Sequence, residues 1–131
     1  MILVDSDVVI DFFAGVEPGA SVFRRLLAER RVLISAVTAF EIRAGITGKK
    51  RLEQVERFLS VVPVLAFDRE QADLAAASYT GLRRRGRLVG NQDLFLAAAA
   101  VRAGVPILTR NREHFGRIEG VETLSPEDLL S

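Results

Sequence analysis

Three acidic residues of this sequence stand where an α/β fold can gather them: Asp5, Glu41 and Asp93. Asp5 follows the apolar run 1–4, which is typical of a strand buried on both faces of a parallel sheet. Glu41 lies about two turns into the helix predicted after a second apolar strand, and Asp93 lies in the first turn of an alanine-rich helix. Each acid belongs to an element that begins at the carboxyl edge of the predicted sheet, where such folds bind ligands. We therefore expect the three carboxylates to converge on one crevice.

Helix capping is an alternative role for some of these acids. Asp7 and Asp93 both stand near predicted helix N-termini, where the macrodipole favours a carboxylate. Considered by itself, Asp93 is better explained as a helix-terminal acid than as a metal ligand. Glu41 is harder to explain in this way, because it is flanked by Phe40 and Ile42 and lies near the apolar stripe of its helix. An ionised carboxylate in such a place is costly unless a cation or hydrogen bonds compensate it.

The residue types available limit the chemistry of such a site. The chain has no cysteine and one histidine, so disulfides, thiol nucleophiles and histidine-rich metal sites are excluded. Oxygen ligands select Mg²⁺ or Mn²⁺, and such a site suits phosphodiester chemistry, since the metal can activate water and stabilise the departing oxygen. Thr109 and Asn111, after the fourth predicted strand, either add polar groups to this region or serve a turn.

The elements that would position these residues alternate between strands and helices. Strands are predicted at 1–4, 32–34, 61–65, 106–109 and 121–124, with Pro63 marking a strand start or an edge strand. Helices are predicted at 8–13, 19–29, 36–45, 48–59, 68–85 and 92–103, with helix caps at Ser6 or Asp7, Ser35, Asp68, Asn91 and Ser125. This order predicts one domain, 1–131: a three-layer α/β/α sandwich with a central parallel sheet of four to five strands.

Charge and hydropathy bear on partners and location. The formal net charge is only +1, but basic residues cluster, most densely at 83–87. A basic surface around an acidic, cation-requiring centre suits a polyanion; the alternative is that each cluster is a solvated helix end. No apolar run approaches the length of a bilayer span and the chain opens directly on a strand, so we expect a cytoplasmic location and no membrane partner.

Four segments together resemble a known family. Leu3–Asp11 resembles the first motif of PIN-domain ribonucleases, and Ser35–Gly45 resembles the second. Gly90–Ala100 and Gly104–Phe115 are similar to the third and fourth motifs. The match spans nearly the whole chain in the family's order and spacing. Within that family, the size and motif wording are similar to the VapC-type toxins of toxin–antitoxin pairs.

The resemblance implies a Mg²⁺- or Mn²⁺-dependent endoribonuclease in which Asp5, Glu41 and Asp93 are the catalytic, metal-binding acids. It also implies a homodimer that is neutralised by a cognate antitoxin, whose tail enters the active site. Ser6 and Thr109 match positions that shape the substrate site.

Arg110 and the arginines at 83–87 are candidates for holding the phosphates that flank the scissile bond, without reading sequence.

One position departs from the family. The fourth motif often contributes another acid, whereas Asn111 stands here as a weaker candidate ligand, with Glu113 and His114 nearby. The number of metal ions is therefore open.

Two other functions stay open at this point. One is a catalytically inactive RNA- or partner-binding module on the same scaffold. A more distant one is a phosphatase of the haloacid-dehalogenase type, which the Asp5-Ser6-Asp7 opening also fits. That second fold needs a later lysine, and the only lysines here are Lys49 and Lys50.

Overall fold

The computed structural model describes residues 1–130 as five short strands and seven α-helices, with a 3₁₀ turn at the end. The strands are β1 Ile2–Val4, β2 Val32–Ser35, β3 Val64–Leu65, β4 Ile107–Leu108 and β5 Thr123–Leu124. The helices are α1 Ser6–Ala14, α2 Gly19–Ala28, α3 Ala36–Gly45, α4 Lys49–Val61, α5 Arg69–Arg84, α6 Asn91–Ala103 and α7 Arg112–Phe115, and the 3₁₀ turn is Pro126–Leu129.

All strand pairings are parallel, and the strand order is β3-β2-β1-β4-β5. The expected α/β sandwich on a parallel sheet is confirmed, with five strands. The outer position of β3 also agrees with the edge role that Pro63 indicated. Because β1 is central and pairs with β4, the residues that follow these two strands emerge side by side at the carboxyl edge.

The sheet is buried on both faces by alternate residues of the same strands. Ile2 and Val4 of β1 point into a core formed with α1 to α4, which contains several phenylalanines. Leu3, between them, points into the opposite core, where α6 contributes a run of four buried alanines, 97–100. Small side chains on α6 let that helix pack close to the sheet, which fixes the position of its N-terminus and of Asp93.

The third strand begins later than predicted. Val61 ends helix α4, Val62 is its extended C-cap and the strand is only Val64–Leu65. The reason is Pro63, which disfavours helical backbone in the residue before it and so ends the helix there. The fifth strand is also shorter than expected, at Thr123–Leu124.

Two of the predicted caps are wrong. Asp5, rather than Ser6 or Asp7, is the N-cap of α1, and its carboxylate accepts the Ser6 N–H. Helix α6 begins one residue earlier than expected, with extended Gly90 at the N-cap and Asn91 already helical.

The remaining predicted caps are confirmed. Ser35 and Asp68 accept backbone N–H groups of the helices that they precede, and Ser125 forms a capping box with Asp128. Within residues 1–130, no helix is long and apolar enough to cross a membrane.

Candidate active site

Asp5 is the innermost acid of the site. Its side chain leaves the end of β1, and the residue is only 9% exposed. Oδ1 accepts the Ser6 N–H at 2.7 Å, and Oδ2 accepts the Thr109 hydroxyl at 2.8 Å. Burial, followed by the charge of Asp7, raises the pKa of Asp5 to about 7. At neutral pH this carboxylate is therefore close to half protonated, and a nearby cation would favour its charged form.

Asp7 also lies at the site, where the sequence indicated only a helix-terminal acid. Its Oδ2 accepts the Arg110 N–H at 3.0 Å and the Asn111 side-chain amide at 3.2 Å. Its Oδ1 is buried and has no hydrogen-bond partner among residues 1–130. Burial, more than any other cause, raises the pKa of Asp7. The sequence places Asp7 two residues after Asp5, but the hydrogen bonds of Asp7 to Arg110 and Asn111 depend on the pairing of β1 with β4, which no local pattern specifies.

Thr109 connects the loop after β4 to the acids through hydrogen bonds. The residue is fully buried, and its Oγ1 both donates to Asp5 and accepts the Asn111 N–H at 3.0 Å. The Asn111 side chain turns towards Asp7 instead of capping α7. The polar residues at this strand end therefore serve the site as well as the turn.

Glu41 and Asp93 complete the group of acids that the sequence predicted to converge. Burial and then the charge of Asp93 raise the pKa of Glu41, while a hydrogen bond from the Ser6 hydroxyl lowers it. The same Asp93 charge also raises the pKa of Asp5, so Asp93 lies within electrostatic range of both Asp5 and Glu41. Asp93 is in contact with His114, whose Nδ1 lies 3.1 Å from Asp93 Oδ2.

This donor set fits a hard divalent cation. The buried, unpaired Oδ1 of Asp7 and the raised pKa values of Asp5, Asp7 and Glu41 all indicate uncompensated negative charge that a cation would offset. No three carboxylate or imidazole groups among residues 1–130 stand close enough to enclose a metal by themselves. These side chains therefore do not form a closed metal cage, and a Mg²⁺ ion bound here would also need ligands from water or substrate phosphate.

The basic candidates have different surroundings. Arg110 is tied to helix α1, with its Nε 2.9 Å from Asp11 Oδ2, and its side chain is 54% exposed. The arginines at 83–87, at the end of α5, are exposed and form no ion pair within the described part of the chain. Arg110 is thus held against helix α1 by Asp11, whereas the arginines at 83–87 lie exposed at the end of helix α5.

A parallel α/β sheet with acids gathered at its carboxyl edge defines the class of this protein. The PIN domain matches residues 2–121, so the chain belongs to the PIN-domain family. This membership decides against the phosphatase interpretation.

Relatives of this chain within the family include VapC ribonucleases, and similar solved structures include a VapBC structure. The chain is 31% identical to Ribonuclease VapC1 of Methanocaldococcus jannaschii over 118 residues, which cover 90% of this chain and 81% of that protein. It is 37% identical to the tRNA(fMet)-specific endonuclease VapC of Shigella flexneri over 112 residues, which cover 79% of this chain and 83% of that protein. Among solved structures, the DNA-bound VapBC of Salmonella typhimurium superposes with a TM-score of 0.84 at 26% identity, covering 96% of this chain and 99% of that one.

Proposed function

We propose that this chain is a VapC-type endoribonuclease that hydrolyses RNA phosphodiester bonds with Mg²⁺ or Mn²⁺ bound at its acidic crevice. The observation that carries this proposal is that Asp5, Glu41 and Asp93 lie at one edge of the sheet, with Asp93 within electrostatic range of the other two. The relatives named above as ribonucleases support the reaction class.

Each side chain has a role in this proposal. Asp5, Glu41 and Asp93 are the principal metal ligands, and Asn111 is a weaker one. A bound divalent ion would supply charge stabilisation for the scissile phosphate and lower the pKa of an attacking water. Ser6 and Thr109 hold the carboxylates of Glu41 and Asp5 in orientation through the hydrogen bonds described above.

Arg110 is the proposed phosphate ligand. Its guanidinium pairs with Asp11, lies within electrostatic range of Asp7 and is half exposed, so it can neutralise a backbone phosphate without reading a base.

The proposal includes a partner. Similar solved structures include VapBC of Salmonella typhimurium bound to DNA and VapBC-5 of Mycobacterium tuberculosis, a member of the VapBC family of toxin–antitoxin systems. We propose that this chain is likewise the toxin of such a pair, held inactive by a cognate antitoxin and active as a homodimer in the cytoplasm.

The deciding experiment measures cleavage of a panel of labelled RNAs by purified, antitoxin-free protein stripped of metal with EDTA. Mg²⁺ or Mn²⁺ is then added back to the wild type and to Asp5→Asn and Asp93→Asn, and metal binding is followed separately as a shift in melting temperature. We expect metal-dependent cleavage that falls at least about 100-fold in both variants, because each removes charge from the reaction centre. Asp73→Asn, which changes an exposed acid of α5, is the matched control and should cut like the wild type.

The other outcomes distinguish the alternatives. Metal binding without cleavage of any RNA in the panel would indicate a narrow substrate. A protein that neither binds metal nor cuts would contradict the proposal and favour the inactive binding module that Asn111 left open. Cleavage that survives in both variants would move the reaction centre away from these acids.

A further inference from the structure

Helix α1 carries a buried carboxylate, Asp11, one turn beyond the half-buried Asp7. Asp11 is 7% exposed, although it lies outside the group of acids at the crevice. Among residues 1–130, the cation paired with it is Arg110, whose Nε lies 2.9 Å from Asp11 Oδ2. Asp7 and Asp11 are four residues apart and therefore share one face of the helix.

Arg110 is consequently attached to α1 at two points. Its backbone N–H donates to Asp7 Oδ2 at 3.0 Å, and its side chain pairs with Asp11. A long arginine side chain at the end of a strand would otherwise sample many rotamers, and ordering it on substrate binding would cost conformational entropy. With Nε engaged, the guanidinium plane is oriented, and its terminal nitrogens can bind phosphate oxygens.

Asp11 is itself held by its surroundings. Its carbonyl accepts the N–H of Val16 at 2.8 Å and that of Gly15, the left-handed residue that ends the helix. Its side chain packs against Gly19 at the start of α2, where an added Cβ would lie 3.3 Å from both the Cβ and the Oδ2 of Asp11. The oxygen that Gly19 leaves room for is the same oxygen that holds Arg110.

We propose that Asp11 is a positioning residue that fixes the Arg110 guanidinium for binding an RNA backbone phosphate, with Gly19 providing the space that this contact needs. The inference rests on the proposed function, because it assigns Arg110 to the substrate. Asp11 is not one of the proposed metal ligands, although its charge raises the pKa of neighbouring Asp7. Its proposed effect on RNA runs through Arg110, so its loss should weaken substrate binding and leave the chemical step unchanged.

The first test is the steady-state kinetics of Asp11→Asn. We expect KM to rise about tenfold, as for loss of a charge-assisted contact, with kcat unchanged. The dependence of log KM on log salt concentration should become shallower by about one phosphate contact. Loss of folded protein would instead lower kcat and leave KM and the salt slope unchanged, so these readouts separate positioning from a purely structural role.

Gly19→Ala tests the same contact without removing any charge. The new methyl group should displace Asp11 Oδ2 by a few tenths of an ångström and raise KM in the same direction, by less than in Asp11→Asn. Gly81→Ala is the matched control, because this helical glycine has no atom within 4 Å of an added Cβ, and KM should not change. If Asp11→Asn does not fold, the KM of Gly19→Ala tests the inference instead.

A double mutant decides whether Asp11 acts through Arg110. Arg110→Gln combined with Asp11→Asn should have the same KM as Arg110→Gln alone, since the two residues serve one contact. A further loss in the double mutant, or an unchanged KM and salt slope in Asp11→Asn, would overturn the inference.

The proposed function can fail separately. A wild type that neither binds metal nor cuts RNA would count against that function, and the Asp11–Arg110 contact would then be tested by fluorescence anisotropy of a labelled single-stranded RNA with the same variants. Equal affinity and salt slope in the wild type and Asp11→Asn would overturn the inference in that case too.

Discussion

The two halves of the acidic crevice are built differently. In the half between α1 and the loop after β4, which we call the closed half, Asp5 and Asp7 are joined by short hydrogen bonds to Thr109, Arg110 and Asn111. In the half between α3 and α6, the open half, the side-chain partner of Asp93 among residues 1–130 is a histidine that is 56% exposed. Glu41 is half-buried, and the nearby Ser6 hydroxyl lowers its pKa. The closed half is fixed by the fold itself, whereas in the open half the Asp93 contact is to an exposed side chain and holds its acid less tightly.

The largest expected effect concerns the buried charge of the closed half. Because the pKa of Asp5 is raised from 3.8 to about 7 in the folded protein, the native state binds more protons than the unfolded chain between these pH values. The free energy of unfolding of metal-free protein should therefore fall as pH rises from about 4 to 7, by about 4 kcal/mol for this group, and level off above pH 7. Asp7 and Glu41, whose pKa values are also raised, add to the trend in the same direction. Urea denaturation in EDTA across this pH range measures it.

Asp5→Asn is the variant that isolates this effect. It keeps an oxygen for the Ser6 N–H and removes the titration, so its unfolding free energy should depend less on pH and exceed that of the wild type at pH 8. Asp73→Asn, on exposed α5, should follow the wild-type curve. A wild-type stability that rises with pH over this range would contradict the assignment of a buried, uncompensated charge to Asp5.

The difference between the halves also explains which site residues could be predicted from the sequence. Asp5, Glu41 and Asp93 could be placed at one edge because each follows or begins an element with a clear apolar pattern. The roles of Asp7 and Asp11 could not be predicted, because their partners lie about a hundred residues away along the chain. Those contacts depend on the pairing of β1 with β4, and no local pattern specifies which strands are neighbours. The end of α4, by contrast, can be predicted from local sequence, because Pro63 disfavours helical backbone in the residue before it.

The second prediction concerns Thr109, which joins the two strand ends of the closed half. Thr109→Val keeps the shape and removes the hydroxyl, leaving Asp5 Oδ2 without its donor and the Asn111 N–H without its acceptor. We expect the free energy of unfolding to fall by about 1–3 kcal/mol, the cost of unsatisfied buried polar groups. Urea denaturation at pH 7 in EDTA measures the change, with Thr109→Ser, which keeps the hydroxyl, as the control. Equal losses in the two variants would point to packing rather than to hydrogen bonding.

The smallest effect is expected at His114, the corresponding contact of the open half. The side chains of His114 and Asp93 are 56% and 25% exposed, so water can replace their 3.1 Å contact when it is removed. His114→Ala should therefore change the free energy of unfolding by no more than about 0.5 kcal/mol under the same conditions, as for most exposed sites. His114→Asn, which retains a donor, should match it. If His114→Ala lowers the free energy of unfolding as much as Thr109→Val does, the open half is as rigid as the closed half. The raised pKa of Glu41 would then come from a rigid site, and not from a site that is completed by bound metal and substrate.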